Sequence, residues 1–326
     1  MNFFRTRWML VAGLLLLPNL PSAAQTPPQR AIAITIDDLP AGNANAMAGA
    51  EITAMTGKLL ATLRDHKVPA VGFVNERKIY KEGEADARIK ALEMWLDGGF
   101  ELGNHTYAHT SLNNVTLQAW EEDVIRGETV TRLLQSRHTM KMRYFRHPYL
   151  DTGRDLQTRR DAEAFLVSRG YHIAPVTMDA WDWMYASVYE DARKRGDAAL
   201  QKRLVESYLS YTGVVFDYYE KLSKELLGYE PKQVLLLHGN WLEAEHIGEL
   251  LDALQKRGYQ FVTLEDALSD SAYGMPDEYV GPEGCGWIEH WAITRGQPPK
   301  NSPSIPQWVN DLAKALPRPP TGSEAY

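Results

Sequence analysis

Seven short apolar runs, separated by stretches of helix-like spacing, constrain this chain more than any other feature. They are AIAITI (31–36), AVGFVN (70–75), FELGNH (100–105), RYFRHP (143–148), HIAPVTM (172–178), QVLLLH (233–238) and YQFVTL (259–264). Each is apolar throughout instead of alternating, the pattern of a strand covered on both faces. Between them, EITAMTGKLLATLRDHK and ARIKALEMWLDGG carry helical spacing, and the second closes on a Gly98-Gly99 stop. Strand–helix alternation repeated about seven times predicts an α/β fold, a parallel sheet closed or nearly closed into a distorted (β/α) barrel. Chemistry in such folds sits at the carboxyl ends of the strands.

Two regions break the rhythm. From about 185 to 230, charged and aromatic residues at helical spacing read as one long or two shorter amphipathic helices, packed on the outside or shaping one side of a groove. After about 270 the alternation is lost, leaving a C-terminal extension (270–326) in which Cys285, Trp287 and Trp291 either line a cleft or form a packing patch. The barrel is expected to occupy 25–269. The first 24 residues have Arg5 and Arg7, an apolar run from Trp8 to Leu17, and Ser22-Ala23-Ala24. This is the pattern of a secretory signal peptide, and the run is shorter than the roughly 20 residues a membrane span needs. The expectation is an exported protein, periplasmic or secreted, with no stable membrane anchor after cleavage. The lone cysteine, Cys285, allows no internal disulfide. A net charge of −7, before removal of two arginines with the leader, argues against a nucleic-acid partner.

Polar groups suited to metal binding or proton transfer stand at several strand ends. Asp37-Asp38 follows the first run, His105 and His109 the third, Arg146, Pro148 and Tyr149 the fourth, Asp179, Asp182 and Trp183 the fifth, and His238 ends the sixth. Each has a plainer reading alone. An adjacent acid pair can be a solvated turn, and Arg146 an ion-pair partner. A His pair at i, i+4 falls on one helix face and can share a metal, but also occurs on solvated faces. His238 can be a hydrogen-bonded core residue. The remaining histidines (His66, His138, His147, His172, His246 and His290) have no such placement and read as surface or core.

Taken in order, TIDD, HTYAH, RHPY, DAWDW and LLH resemble the five motifs of the NodB-homology polysaccharide deacetylases, carbohydrate esterase family 4. The resemblance spans about residues 30 to 268. It implies a distorted barrel, an acetylated glycan as substrate and a divalent cation, with Zn2+ the default and Mn2+, Co2+ or Ni2+ also suited to the ligand set. By resemblance Asp38, His105 and His109 are the metal ligands, Asp37 the general base and His238 the general acid. Arg146 would orient Asp37 and hold it ionised, and Asp182 would support protonated His238. The Tyr149 backbone N–H would meet the oxyanion, with Trp183, Leu236 and Pro148 lining the acetyl pocket. Many family members have Gly after the acid pair, where this chain has Leu39-Pro40, so the loop entering the site is expected to differ. The motifs leave open N-deacetylation, O-acetyl ester hydrolysis on acetylated xylan or exopolysaccharide, and a non-catalytic carbohydrate-binding protein on the same scaffold. Retention of both Asp37 and His238 counts against the last. The oligomeric state is not legible.

Overall fold

The computed structural model describes residues 30–316, so the expected signal peptide lies outside the described residues. The strands are β1 (Arg30–Leu39), β2 (Val71–Val74), β3 (Glu101–Asn104), β4 (Tyr144–Phe145), β5 (His172–Ile173), β6 (Met178–Asp179), β7 (Gln233–His238) and β8 (Tyr259–Phe261). The helices are α1 (Gly49–Asp65), α2 (Ala85–Asp97), α3 (Leu117–Arg126), α4 (Thr129–Arg137), α5 (Leu156–Ser168) and α6 (Asp182–Lys194). After these come α7 (Ala198–Leu227), α8 (Trp241–Lys256), α9 (Leu264–Leu268), α10 (Trp287–Thr294) and α11 (Gln307–Ala315).

Every strand pairing is parallel, in the order β5-β4-β3-β2-β1-β7-β6, and β8 pairs the start of β1. The interior of β1, from Ile32 to Asp37, is buried residue by residue, as its unbroken apolar run requires. One predicted strand divides. HIAPVTM becomes β5 and β6, because Pro175 offers no N–H to a ladder and interrupts pairing. The two pieces lie at opposite ends of the strand order, yet only residues 174–177 separate them. The five Cα steps from Ile173 to Met178 reach at most about 18 Å, so the two edges of the sheet must curl toward each other. Ala174 N–H still donates to Phe145 O, and Thr177 N–H to Val234 O, so this link holds both edges. The result is a curled, incompletely laddered barrel with helices outside it.

The stretch at 185–230 forms two helices. In the 30-residue α7, Leu204, Tyr208, Tyr211, Val215, Phe216, Tyr219 and Leu226 form one buried stripe at three- and four-residue spacing. That stripe packs α7 on α6, β6, α8 and α10. Past residue 270 the chain returns to the body. Trp291 is buried with Tyr273 edge-on at 5.7 Å, and Trp287 stacks on buried His290 at 4.6 Å. Cys285 is half-buried. The packing reading therefore holds for these tryptophans, and a cleft lined by Trp287 and Trp291 is excluded by their burial.

Candidate active site

Asp37 and Asp38 reach one site because β1 carries an extra residue. The β1–β2 register runs Ile36↔Gly72 and then Leu39↔Val74, three steps against two, which is a β-bulge. Asp38 takes the strain with φ 72, a conformation uncommon for a residue with a side chain. Leu39 turns inward to the core. A Cβ on Gly72 would lie 2.3 Å from Leu39 Cδ1, so the small residue on β2 makes room for the leucine.

The histidines converge differently from the expected helix face. His105 follows β3, and 105–110 is loop, with Thr106 and His109 at φ 62 and 58. Four residues of helix would also align them, but here left-handed turns do it, pinned by α3. Tyr107 N–H donates to Asp123 O and Ala108 N–H to Asp123 Oδ2, both at 3.0 Å. Gly127 is required at the end of α3, since a Cβ there would lie 2.6 Å from Thr106 C and Tyr107 N. The imidazole centroids stand 4.8 Å apart. One ligand atom each from Asp38, His105 and His109 falls within 4.8 Å of the others, a group that could hold a metal ion. His105 Nδ1 lies 2.8 Å from Arg146 O, which assigns its proton to that nitrogen and leaves Nε2 to accept.

Asp37 is buried, with Arg146 Nη1 at 3.3 and 3.4 Å from its two oxygens and His105 Nε2 at 3.6 Å from Oδ2. The Arg146 guanidinium also donates to Ala174 O at 2.7 Å and to Thr35 Oγ1 at 3.0 Å. Burial pushes the Asp37 carboxyl up to about 6, against the pull of Arg146 and His238. The guanidinium thus acts in the expected direction, but desolvation outweighs it. Asp38 behaves oppositely. Burial disfavours its charge, yet Lys78, then His109, His238 and His105, hold its carboxyl well below the usual range. Lys78 Nζ sits 3.0 Å from Asp38 Oδ1. Burial depresses both metal-candidate imidazoles, His109 to about 4 and His105 strongly, keeping them neutral as ligands must be.

His238 ends β7 and is the register partner of Asp37. Asp182, the first residue of α6 and fully buried, takes its Nδ1 at 2.7 Å and its backbone N–H at 2.9 Å. Asn240 completes this carboxylate with Nδ2 at 2.9 Å while its Oδ1 caps α8. Burial alone disfavours the imidazolium, but Asp182, then Asp38 and Asp37, raise the His238 pKa to about 10. That value exceeds the ordinary 6.5, so the pair stabilises the fold below about pH 6.5 and loses this contribution as pH rises through about 10. In metal-free protein, the ring NMR signals of His238 should titrate near 10. Asp182→Asn should bring them to the ordinary value or below, since burial then acts without its main opponent. Titration unchanged in that variant would exclude Asp182 as the source.

Tyr149 stands at φ 58, largely exposed, with its ring centroid 4.4 Å from that of His109 in an edge-on arrangement, and Pro148 is buried. Leu236 is buried on β7, and Trp183 is about half exposed on α6. Two neighbours were not singled out from sequence. Lys78 lies outside every motif. Trp181, inside DAWDW, caps α6 in a left-handed conformation and stacks on Trp183 at 5.9 Å and 26°. An aromatic repeated two residues apart at a helix start was the available signal. The other histidines take no part, with His147 stacked on Trp120 and His290 on Tyr279.

The curled barrel and the acid–histidine group at its strand ends have the arrangement that the motif resemblance implies. Residues 24–165 match the family model of the polysaccharide deacetylases, and the family resemblance read from the motifs stands. The chitin deacetylase of Colletotrichum lindemuthianum is 26% identical over 240 residues, 74% of this chain and 80% of that protein. A pseudoenzyme of carbohydrate esterase family 4 from Bacillus anthracis superposes with a TM-score of 0.51 at 17% identity, over 75% of this chain and 67% of its own. A mutant of a pseudoenzyme of that family, with restored enzymatic activity, gives 0.51 at 18% identity, over 75% and 69%. At these identities the solved structures establish the fold.

Proposed function

We propose that this protein is a divalent-metal-dependent hydrolase that removes acetyl groups from N-acetylated polysaccharide or oligosaccharide. The observation that carries the reading is the convergence of Asp38, His105 and His109 beside Asp37, with His238 opposite Asp37 in register. The donor set fits a cation. Two neutral imidazoles and an ionised carboxylate leave coordination positions open, and Asp38 Oδ1 lies 3.6 Å from His109 Nε2. Zinc suits these ligands, as do manganese, cobalt and nickel.

A divalent cation bound there would acidify a water and polarise the acyl oxygen. Asp37 receives the proton of the attacking water, with Arg146 fixing the orientation of its carboxylate. The Tyr149 backbone N–H stabilises the oxyanion. His238, charged through Asp182, gives its proton to the departing amine as the C–N bond breaks. Trp183, Leu236 and Pro148 wall a small apolar acetyl pocket. The Asp37–Arg146 and His238–Asp182 pairs support a catalyst over a binding protein, which needs neither. The expected leader supports action on glycan outside the cytoplasm, and among the described residues no helix is long and apolar enough to cross a membrane.

Acetate release from N-acetylglucosamine oligomers and from acetylated xylan, with and without chelator, tests the proposal. Chelator-sensitive release from the amide oligomers is expected. Release from xylan alone would transfer the activity to ester cleavage, and binding without release from either would reduce the protein to a lectin.

A further inference from the structure

In the loop after β4, Tyr149 and Leu150 both stand at φ 58. Two consecutive left-handed residues with side chains persist only where their surroundings hold them. The holding groups come from the C-terminal extension and from the loop after His109. A Cβ on Gly284 would lie 2.3 Å from Tyr149 O and from Leu150 C, so bare backbone of the extension rests directly on these two residues. The buried Asp151 carboxylate accepts from Ser111 Oγ, and the Gly284 N–H donates to it from the extension. Asn113 Nδ2 donates to Gly281 O at 3.1 Å, while its Oδ1 accepts from the Gly153 N–H at 3.0 Å. Farther along, the Trp287 N–H donates to Val176 O at 2.7 Å, in the link between β5 and β6. Asp277 anchors the start of the segment. It accepts from Arg159 Nη1 and Nη2 at 2.9 and 2.7 Å, and His290 Nδ1 lies 3.0 Å away.

These contacts converge on the residue whose N–H is assigned to the oxyanion. Such a donor is effective when it is aimed before the charge develops, and a small misplacement removes much of its effect. We propose that segment 281–287 is a clamp that fixes the Tyr149 N–H toward the acyl oxygen, with Gly284 and Asp151 as positioning residues. The proposal rests on the deacetylase reading for the oxyanion itself. It adds to that site a part of the chain that lies beyond the barrel strands and carries none of the five motifs.

The test follows Gly284→Ala, Asp151→Ala and Asp151→Asn in the full chain by two readouts. The first is acetate release from N-acetylglucosamine oligomers. There Gly284→Ala should lower kcat at least about tenfold, toward the roughly 10²–10³-fold that losing an oxyanion donor costs. KM should stay within about threefold and bound metal should be unchanged, because the contact is made in the transition state. Asp151→Ala should act in the same direction. Asp151→Asn should cost less, since its amide oxygen still accepts one of the two hydrogen bonds. The second readout is hydrogen exchange of the Leu150 and Asp151 amides, which donate to His147 O and Pro148 O at 3.1 Å. Their exchange should quicken roughly tenfold in both Ala variants while the strands keep their protection. Should Gly284→Ala fail to fold, Asp151→Ala, which introduces no clash, decides. A kcat within about twofold of wild type, or an effect confined to KM, overturns the clamp. If the wild type releases no acetate, the deacetylase reading fails by itself and exchange judges the clamp: faster in the Ala variants upholds it, unchanged overturns it.

Discussion

Replacing His105 by Ala is expected to remove both divalent-cation binding and acetate release. His105 is almost wholly buried, and its ring is held by Arg146 O at 2.8 Å and edge-on by Phe73 at 6.5 Å. It therefore presents one nitrogen in one direction. Losing an outer hydrogen-bond partner of a ligand costs about 10–100-fold in metal affinity, so losing a ligand should exceed roughly 100-fold. Metal content of the purified variant and calorimetric titration with Zn2+ measure the effect. The substitution also leaves a cavity, so circular dichroism must show the barrel intact before the loss is read as chemistry. Full activity in a properly folded His105→Ala protein without metal would end the metal reading.

Asp37→Asn should leave the cation in place and remove the proton acceptor. The two side chains have the same shape, and the candidate ligands Asp38, His105 and His109 are untouched. General-base catalysis contributes about 10²–10⁴-fold, and kcat should fall by that factor. The exchange also strips the fully buried Arg146 of its anion. Breaking a buried ion pair by removing one partner costs about 3–5 kcal/mol. Two further acceptors, Ala174 O and Thr35 Oγ1, lessen that cost here. Rates must therefore be taken per folded molecule, at a temperature below the variant's transition. Activity within tenfold of wild type would take Asp37 out of the role.

Which acids and imidazoles stand at strand ends was legible, because a buried parallel strand shows as an unbroken apolar run and the polar residues just past its carboxyl end face the site. How those residues meet was not. The bulge that brings Asp38 beside Asp37 is a property of register against β2, invisible in β1 itself. The His105–His109 loop is shaped by Asp123 and Gly127, from a helix that begins eight residues after His109. A four-residue spacing alone pointed to a helix face, and tertiary pinning overrode it. Lys78 was missed because an amphipathic lysine in a short turn looks like any surface cation until Asp38 is placed against it. The division of HIAPVTM into β5 and β6 was readable from Pro175, where apolarity outweighed the missing donor in the reading. Trp287 and Trp291 show the reverse, since aromatic residues in a Pro- and Gly-rich segment resemble a ligand wall until their burial is known.

The short link at 174–177 joins the two free margins of the sheet, and its first residue is the one whose carbonyl grips the Arg146 side chain. Mechanical integrity of the barrel and alignment of the acid pair thus share a fastening. Any loosening there displaces the guanidinium from Asp37 while the helices remain wound, so catalytic output gauges that closure more sensitively than helix content does.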